Sequence, residues 1–227
     1  RDNYLWIHIP VGYAKTMFHP VYNYGYYTEP DANMNGRKIY WPRGRGLGGS
    51  SSINGLIYIR GQSADYDRWS EAGNNGWSWR EVLPYFIKSE HNSDARLVAN
   101  GTHGQGGPLW GTTIPEPHPL MDAITAAGEE LGVPRTIDFN SGDQEGVGYY
   151  QLFTKNGWRC STAVAYLRPA QKRKNLRTEV NAQVTRVLFE GARAVGVEYV
   201  QHGKTVTLRA NREVLLTAGA LQSPQLL

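Results

Sequence analysis

In the last quarter of the chain, apolar and β-branched residues gather in short runs: "LRTEV", "VTRVLFE", "AVGVEYV", "VTLRA" and "EVLLTAG". The runs are separated at Glu190-Gly191, His202-Gly203 and Asn211. Short runs rich in β-branched residues and bounded by turn formers predict strands joined by tight turns. The reading is a β-meander that feeds a last buried strand, "VLLTA", which passes through Gly219 into the helical run "ALQSPQLL". In doubly wound folds, such a strand-to-helix passage brings backbone close to a bound nucleotide.

Earlier in the chain the period lengthens. Ser78 stands three residues before Glu81, a capping box that satisfies free N–H groups and opens a helix from about Trp79 to Glu90, bent at Pro84. Trp77, Trp79, Leu83 and Phe86 read as its core face. Leu120, Ile124, Ala127 and Leu131 recur at helical spacing and are closed by Gly132. Ser161 or Thr162 is placed to cap a helix that pauses near Pro169. Residues 91–118, rich in Gly, Pro, Asn and His, read as a loop leading into a new domain. Near the start, Tyr22, Tyr24 and Tyr26 alternate as on an extended segment, and Asn35-Gly36 turns into a short strand, "RKIYW". These tyrosines read as packing in an arm or lid; with Trp77 and Trp110 they also form the candidate platform of a noncatalytic glycan-binding module.

Composition narrows the classes. With 227 residues, 40% of them apolar, the chain can bury a real core, and its 26 glycines and 12 prolines point to a loop-rich α/β or mixed α+β protein. The net charge is +4, but the basic residues are scattered and the densest run is Lys172-Arg173-Lys174, which argues against a nucleic-acid partner. Cys160 is the sole cysteine, so an internal disulfide and a thiolate metal cluster are both excluded. His91, His103 and His118 lack metal-ligand spacing and read as loop histidines. No apolar run approaches the roughly 18 residues of a membrane span. Both ends read as cuts from a longer polypeptide, whose remainder the chain then needs.

The candidate chemistry lies in "WPRGRGLGGSSSINGLIYIRG", residues 41–61. Gly44, Gly46 and Gly49 have the G-x-G-x-x-G spacing that cradles a dinucleotide pyrophosphate, and Asp65 or Asp67 lies near the offset for a ribose hydroxyl. That reading makes the protein an NAD(P)-dependent Rossmann dehydrogenase. Three serines and several β-branched residues follow, however, which suits a crossover helix poorly. A second reading is a loop whose small residues let backbone lie against a flat or phosphorylated ligand, with the serine hydroxyls and the Asn54 amide supplying hydrogen bonds. A third is a plain structural turn.

The stretch from Gly44 to Asp67, "GRGLGGSSSINGLIYIRGQSADYD", resembles the first signature of the glucose-methanol-choline (GMC) oxidoreductases, flavoproteins that oxidise alcohols with FAD. "GALQSPQLL" resembles the opening half of that family's second signature. "HGQGGPL", "DFNSGDQEGVGYYQ", "NGWRCSTAVAYLRPA" and "RAVGVEYV" are also similar to family segments, in the manner of the choline dehydrogenase-like branch. The resemblance implies a discontinuous, Rossmann-like FAD-binding domain with an antiparallel meander, interrupted by part of a substrate-binding domain. It implies a flavin-covering lid at 1–43, an extended FAD-binding region at 44–107, part of the substrate domain at 108–170 and the returning FAD domain at 171–227. By the same carry-over, Gly48, Gly49, Ser50, Asn54, Gly55 and Ile57 line the flavin and pyrophosphate, Val184 meets the adenine, and Ala218 and Gly219 stand at the strand end beside the dinucleotide. Covalently flavinylated relatives carry a histidine where Ile53 stands, so noncovalent FAD is expected.

What the family implies chemically is abstraction of the alcohol proton by an imidazole coupled to hydride transfer to flavin N5, giving an aldehyde, with oxygen or a quinone-type acceptor taking the electrons. Its catalytic histidine is expected beyond Leu227 and none of the six histidines here matches that motif, so the chain alone is expected to be inactive. A cytoplasmic or peripherally membrane-associated location is the corresponding expectation.

Overall fold

The computed structural model describes residues 2–227 and divides the chain into two compact units, one ending at Arg173 and one beginning at Lys174. No helix among the described residues is long and apolar enough to cross a membrane.

The first unit is built from short elements. Helices α1 (Leu5–His8) and α2 (Tyr13–Thr16) precede a small antiparallel pair, β1 (Tyr26–Tyr27) and β2 (Tyr40–Trp41). The glycine-rich stretch follows as a single 3-10 turn, Gly49–Ser52, and strand β3 (Ile57–Tyr58). Helix α3 (Ser63–Glu71) and helix α4 (Trp79–Ser89) then pack on each other; the Ser78/Glu81 capping box is formed and Pro84 sits inside α4. Where a loop is expected, the chain makes strand β4 (Glu90–Asn92), helix α5 (Ala95–Ala99) and strand β5 (Leu109–Gly111), with β4 and β5 in parallel.

Helix α6 (Pro119–Glu130) closes at Gly132, whose φ of +84° is the left-handed cap that glycine adopts without a Cβ penalty. Strand β6 (Gln151–Leu152) pairs with β3, and β7 (Thr154–Lys155) pairs with β8 (Trp158–Arg159) across Asn156-Gly157. Both turn residues have positive φ, the conformation a two-residue hairpin demands. Ser161 Oγ accepts from Val164 N at 3.3 Å, opening a π-helical turn, Ala163–Leu167, that gives way to helix α7 (Arg168–Ala170) at Pro169.

The second unit is the expected meander: β9 (Ala182–Glu190), β10 (Arg193–Gln201) and β11 (Lys204–Arg209), antiparallel in the order β11-β10-β9, with helix α8 (Gly219–Leu226) against β9. The expected turns at Glu190-Gly191 and His202-Gly203 join the strands. A bulge at Ala194/Gly196 needs its glycine, because a Cβ there would lie 2.3 Å from the Leu208 carbonyl oxygen. Two expected strands are not formed: "LRTEV" and "VLLTA" have no ladder, and Leu215 is 75% exposed. A buried parallel strand exists only through neighbours on both edges, and no described strand pairs with residues 214–218. Trp77 is likewise not core; it is exposed and borders an apolar groove of about 370 Å³ with Tyr66, Val82, Tyr85 and Phe86.

The interior of the first unit is organised by charge. Arg60, Glu90, His103 and Asp138 are all buried. Arg60 donates to Glu90 Oε2 at 2.6 Å, to Tyr58 Oη and to the Thr102 and Asn140 carbonyls. His103 bridges Glu90 Oε1 at 2.8 Å and Asp138 Oδ2 at 3.0 Å. Asn92 and the Gly104 N–H complete the Glu90 shell, and the Asn140 N–H binds Asp138. Burial alone would lower the His103 pKa, but hydrogen bonds and charge from Asp138 and Glu90 outweigh it and raise it to about 9. Both carboxylates are also costly to bury, and their bonds to His103 hold them below the usual carboxylate range. At neutral pH the cluster therefore carries two positive and two negative charges. The sequence reading of His103 as a plain loop histidine is corrected: its acidic partners lie 13 and 35 residues away.

A protonated His103 stabilises the fold, because its folded pKa of about 9 exceeds the ordinary 6.5. That contribution is complete below 6.5 and is lost as the pH rises through 9. Urea unfolding of the full-length protein is expected to show a midpoint that falls over this interval. His103→Leu, which takes the contacting cation from buried Asp138 and one of two cations from Glu90, should cost about 3–5 kcal/mol at neutral pH and flatten that dependence.

Candidate functional site

The glycine-rich loop is folded so that its inner face is fully bonded. A Cβ on Gly44 would lie 2.2 Å from the Gly49 carbonyl oxygen, so only glycine lets these strands of the loop touch. Gly48 has φ +85°, and a Cβ there would meet Ser52 Oγ at 2.4 Å. Ser52 Oγ donates to the Leu47 carbonyl at 2.8 Å, and Ser51 Oγ donates to the Gly48 carbonyl at 2.6 Å while accepting from Thr162 N at 3.0 Å. The serine hydroxyls were expected to serve a ligand; Ser51 and Ser52 instead hold the loop to its own chain. Ser50 is exposed and accepts from Gly44 N at 3.1 Å, which leaves its proton available to donate outward.

Beyond the turn, inside and outside alternate. Ser52, Ile53, Leu56, Tyr58 and Arg60 are buried, whereas Gly55, Ile57 and Ile59 face out. A Cβ on Gly49 or Gly55 would meet nothing within 4 Å, so the outward face of the loop is bare backbone beside two exposed isoleucines. Leu56 has φ +65°, a left-handed conformation that costs an L-residue with a bulky side chain about 1–3 kcal/mol. Its N–H is held by Asn54 Oδ1 at 3.2 Å and its carbonyl by Phe153 N at 2.7 Å.

Asn54 is itself held. Arg159 Nη1 donates to Asn54 Oδ1 at 2.7 Å and to the Ser51 carbonyl at 3.2 Å, and Arg159 Nε donates to the Ile7 carbonyl in α1 at 2.8 Å. Arg159 is fully buried, no carboxylate pairs with it among the described residues, and its Nη2 has no partner. Burial lowers its pKa to about 10, which still leaves it charged at neutral pH. Sequence reasoning passed over this residue, although Asn156-Gly157 between two short strand-like runs is a hairpin signal that would have found β8.

The residues singled out in sequence fall into both units. Gly48, Gly49, Ser50, Asn54, Gly55 and Ile57 share the loop of the first unit. Val184 lies in the edge strand β9, paired with Tyr199 on β10, and Ala218 and Gly219 form the N-terminus of α8, with no side-chain cap there. The Rossmann reading of Gly44, Gly46 and Gly49 fails on geometry, because a four-residue 3-10 turn and a strand follow them instead of a crossover helix. The tyrosine platform is occupied by its own rings: Tyr24 stacks on Tyr26, Tyr22 on Tyr4, and Trp110 on His91. Among the described residues no His, Cys, Asp or Glu group could hold a metal, and Cys160 is buried packing, its thiol pushed up by burial.

Across residues 12–227 the chain matches the model of the GMC oxidoreductase family. The chain belongs to that family. It is 46% identical over 221 residues to mitochondrial choline dehydrogenase of Mus musculus, and 43% identical to oxygen-dependent choline dehydrogenase of Sinorhizobium medicae (strain WSM419). Both alignments cover 97% of this chain but only 37% and 40% of those relatives, so the chain spans about two fifths of their length. Among solved structures, pyridoxine 4-oxidase from Mesorbium loti superposes with a TM-score of 0.89 at 36% identity, over 97% of this chain and 43% of that one. An FAD-dependent oxidoreductase from Chaetomium thermophilum gives 0.88 at 29% identity, over 100% of this chain and 40% of that one.

The loop geometry predicts a graded response in the thermal unfolding of the full-length protein. Gly44→Ala drives a methyl into backbone and should be strongly destabilising, whereas Gly49→Ala meets open space and should cost only the left-handed conformation, about 1 kcal/mol.

Proposed function

We propose that this chain supplies part of the FAD site of an oxidoreductase that acts on the CH–OH group of a primary alcohol and converts it to an aldehyde. The observation that carries the reading is the one-sided loop at 48–57: its inner face is saturated with bonds to the chain, and its outer face is backbone and small residues. Such a surface fits a flat ring, since glycine lets the backbone approach and the isoleucines offer apolar contact. Gly48, Gly49, Ser50, Asn54, Gly55 and Ile57 are the residues we assign to the flavin. Val184, Ala218 and Gly219 are assigned to its dinucleotide half, where the uncapped N–H groups of α8 suit a phosphate.

When bound, FAD supplies the two-electron acceptor for the alcohol's hydride. The chain's own part is to hold and exclude. The loop's backbone would offer fixed dipoles to negative charge, and the exposed Ile57 and Ile59 would offer apolar surface beside it. The six histidines have other places: His103 is in the buried cluster, His118 caps α6, His91 stacks on Trp110, His19 packs with Tyr4, His8 bonds the Asp2 carbonyl, and His202 makes a turn. The base that takes the alcohol proton is therefore assigned to another segment of the whole protein. Choline is the first alcohol to test, given the choline dehydrogenases among the relatives.

Ile53 is buried and offers no nucleophile to the ring, so the flavin is assigned as noncovalent. Acid precipitation of the full-length holoprotein should release all its flavin to the supernatant; colour left in the pellet would contradict the assignment. Gly55→Val should leave thermal unfolding of the apoprotein nearly unchanged, since the site is open, while lowering FAD affinity at least tenfold. Unchanged FAD affinity would remove Gly55 from the site.

A further inference from the structure

We propose that Arg159 is a positioning residue for the flavin: it fixes the Asn54 amide with its N–H donors directed away from the loop interior, and it leaves an unneutralised positive charge beneath the loop. The inference rests on the FAD site proposed above. Asn54 Oδ1 receives two donors, Arg159 Nη1 and Leu56 N, and only an oxygen can accept both. The amide orientation is thereby determined, and its NH₂ group, bonded to nothing else among the described residues, remains to donate. The same guanidinium pins Ser51 through its carbonyl, so one side chain sets both ends of the 51–54 segment.

A purely structural role does not account for the charge. The other buried guanidinium of this unit, Arg60, is matched by Glu90 at 2.6 Å. Arg159 meets three uncharged oxygens, and its Nη2 is buried without any partner. Burying a cation without a counter-ion costs stability, and a neutral side chain could fill the space at lower cost. A cation placed under a loop whose other face receives an electron-accepting ring favours the gain of negative charge on that ring.

The test uses the full-length holoprotein with Arg159→Met, Arg159→Lys, Asn54→Ala and the Arg159→Met/Asn54→Ala double variant. FAD dissociation constants come from apoprotein titration, flavin midpoint potentials from dye equilibration and fold integrity from circular dichroism. Arg159→Met should raise the FAD dissociation constant about tenfold or more, the scale of losing a buried charge-assisted bond, and should move the midpoint potential negative. Arg159→Lys should restore the potential toward that of the unaltered protein while leaving binding weak, because the ammonium keeps the charge but not the fork. The double variant should bind FAD no more weakly than Asn54→Ala alone.

A merely structural residue would lower the melting temperature and leave the potential in place, and that result overturns the proposal. So does independent, multiplicative loss of affinity in the double variant. If Arg159→Met fails to fold, Arg159→Gln takes its place: weakened FAD binding with a negative shift of the potential supports the proposal, and an unshifted potential overturns it. Absence of flavin from the unaltered protein overturns the proposed function itself, and this inference with it.

Discussion

The glycine-rich loop leaves one face open and is held from the other, and the first unit is arranged around that constraint. Gly44 lies against Gly49 where no side chain fits, Ser51 and Ser52 turn back onto the carbonyls of Gly48 and Leu47, and Thr162 reaches across from the π-helical turn. Arg159 then ties the loop to α1 through the Ile7 carbonyl. The strained Leu56 is affordable because its N–H and carbonyl are both engaged, so the surroundings determine a conformation the residue would not choose.

Two buried guanidinium groups in one unit show two uses of charge. Arg60 sits in a balanced cluster with Glu90, His103 and Asp138, where every charge has a partner and the result is a pH-sensitive lock between segments distant in sequence. Arg159 has hydrogen bonds and no counter-charge, and burial lowers its pKa to about 10. The first arrangement stabilises the scaffold; the second is costly to the fold and is explained by the surface it supports.

What could be read from the sequence was what local chemistry controls. The capping box at Ser78 and Glu81, the cap at Gly132 and the turns at Glu190-Gly191 and His202-Gly203 each involve residues a few positions apart, and each formed as read. The absence of a crossover helix after Gly49 followed from three serines and β-branched neighbours. The misses share a cause. His103 was read as a loop residue because Asp138 is 35 positions away, and Arg159 was passed over because its contact with Asn54 spans 105. "VLLTA" has the composition of a strand but no described ladder to join, and Trp77 has the apolar character of core but remains exposed beside the groove on α4. The loop's small residues were legible, but which of its atoms face outward depended on the Ser51 and Ser52 hydroxyls turning inward, a choice no spacing rule reveals.

The central claim is that the outward face of residues 48–57 is where the flavin lies. Amide hydrogen exchange of the full-length protein, measured with and without FAD, tests it most directly. The account predicts that exchange slows on FAD binding across 48–57, Gly49 and Gly55 included, while residues 119–131 of α6 and its cap change little. Unaltered exchange in 48–57 on saturation with FAD would contradict it.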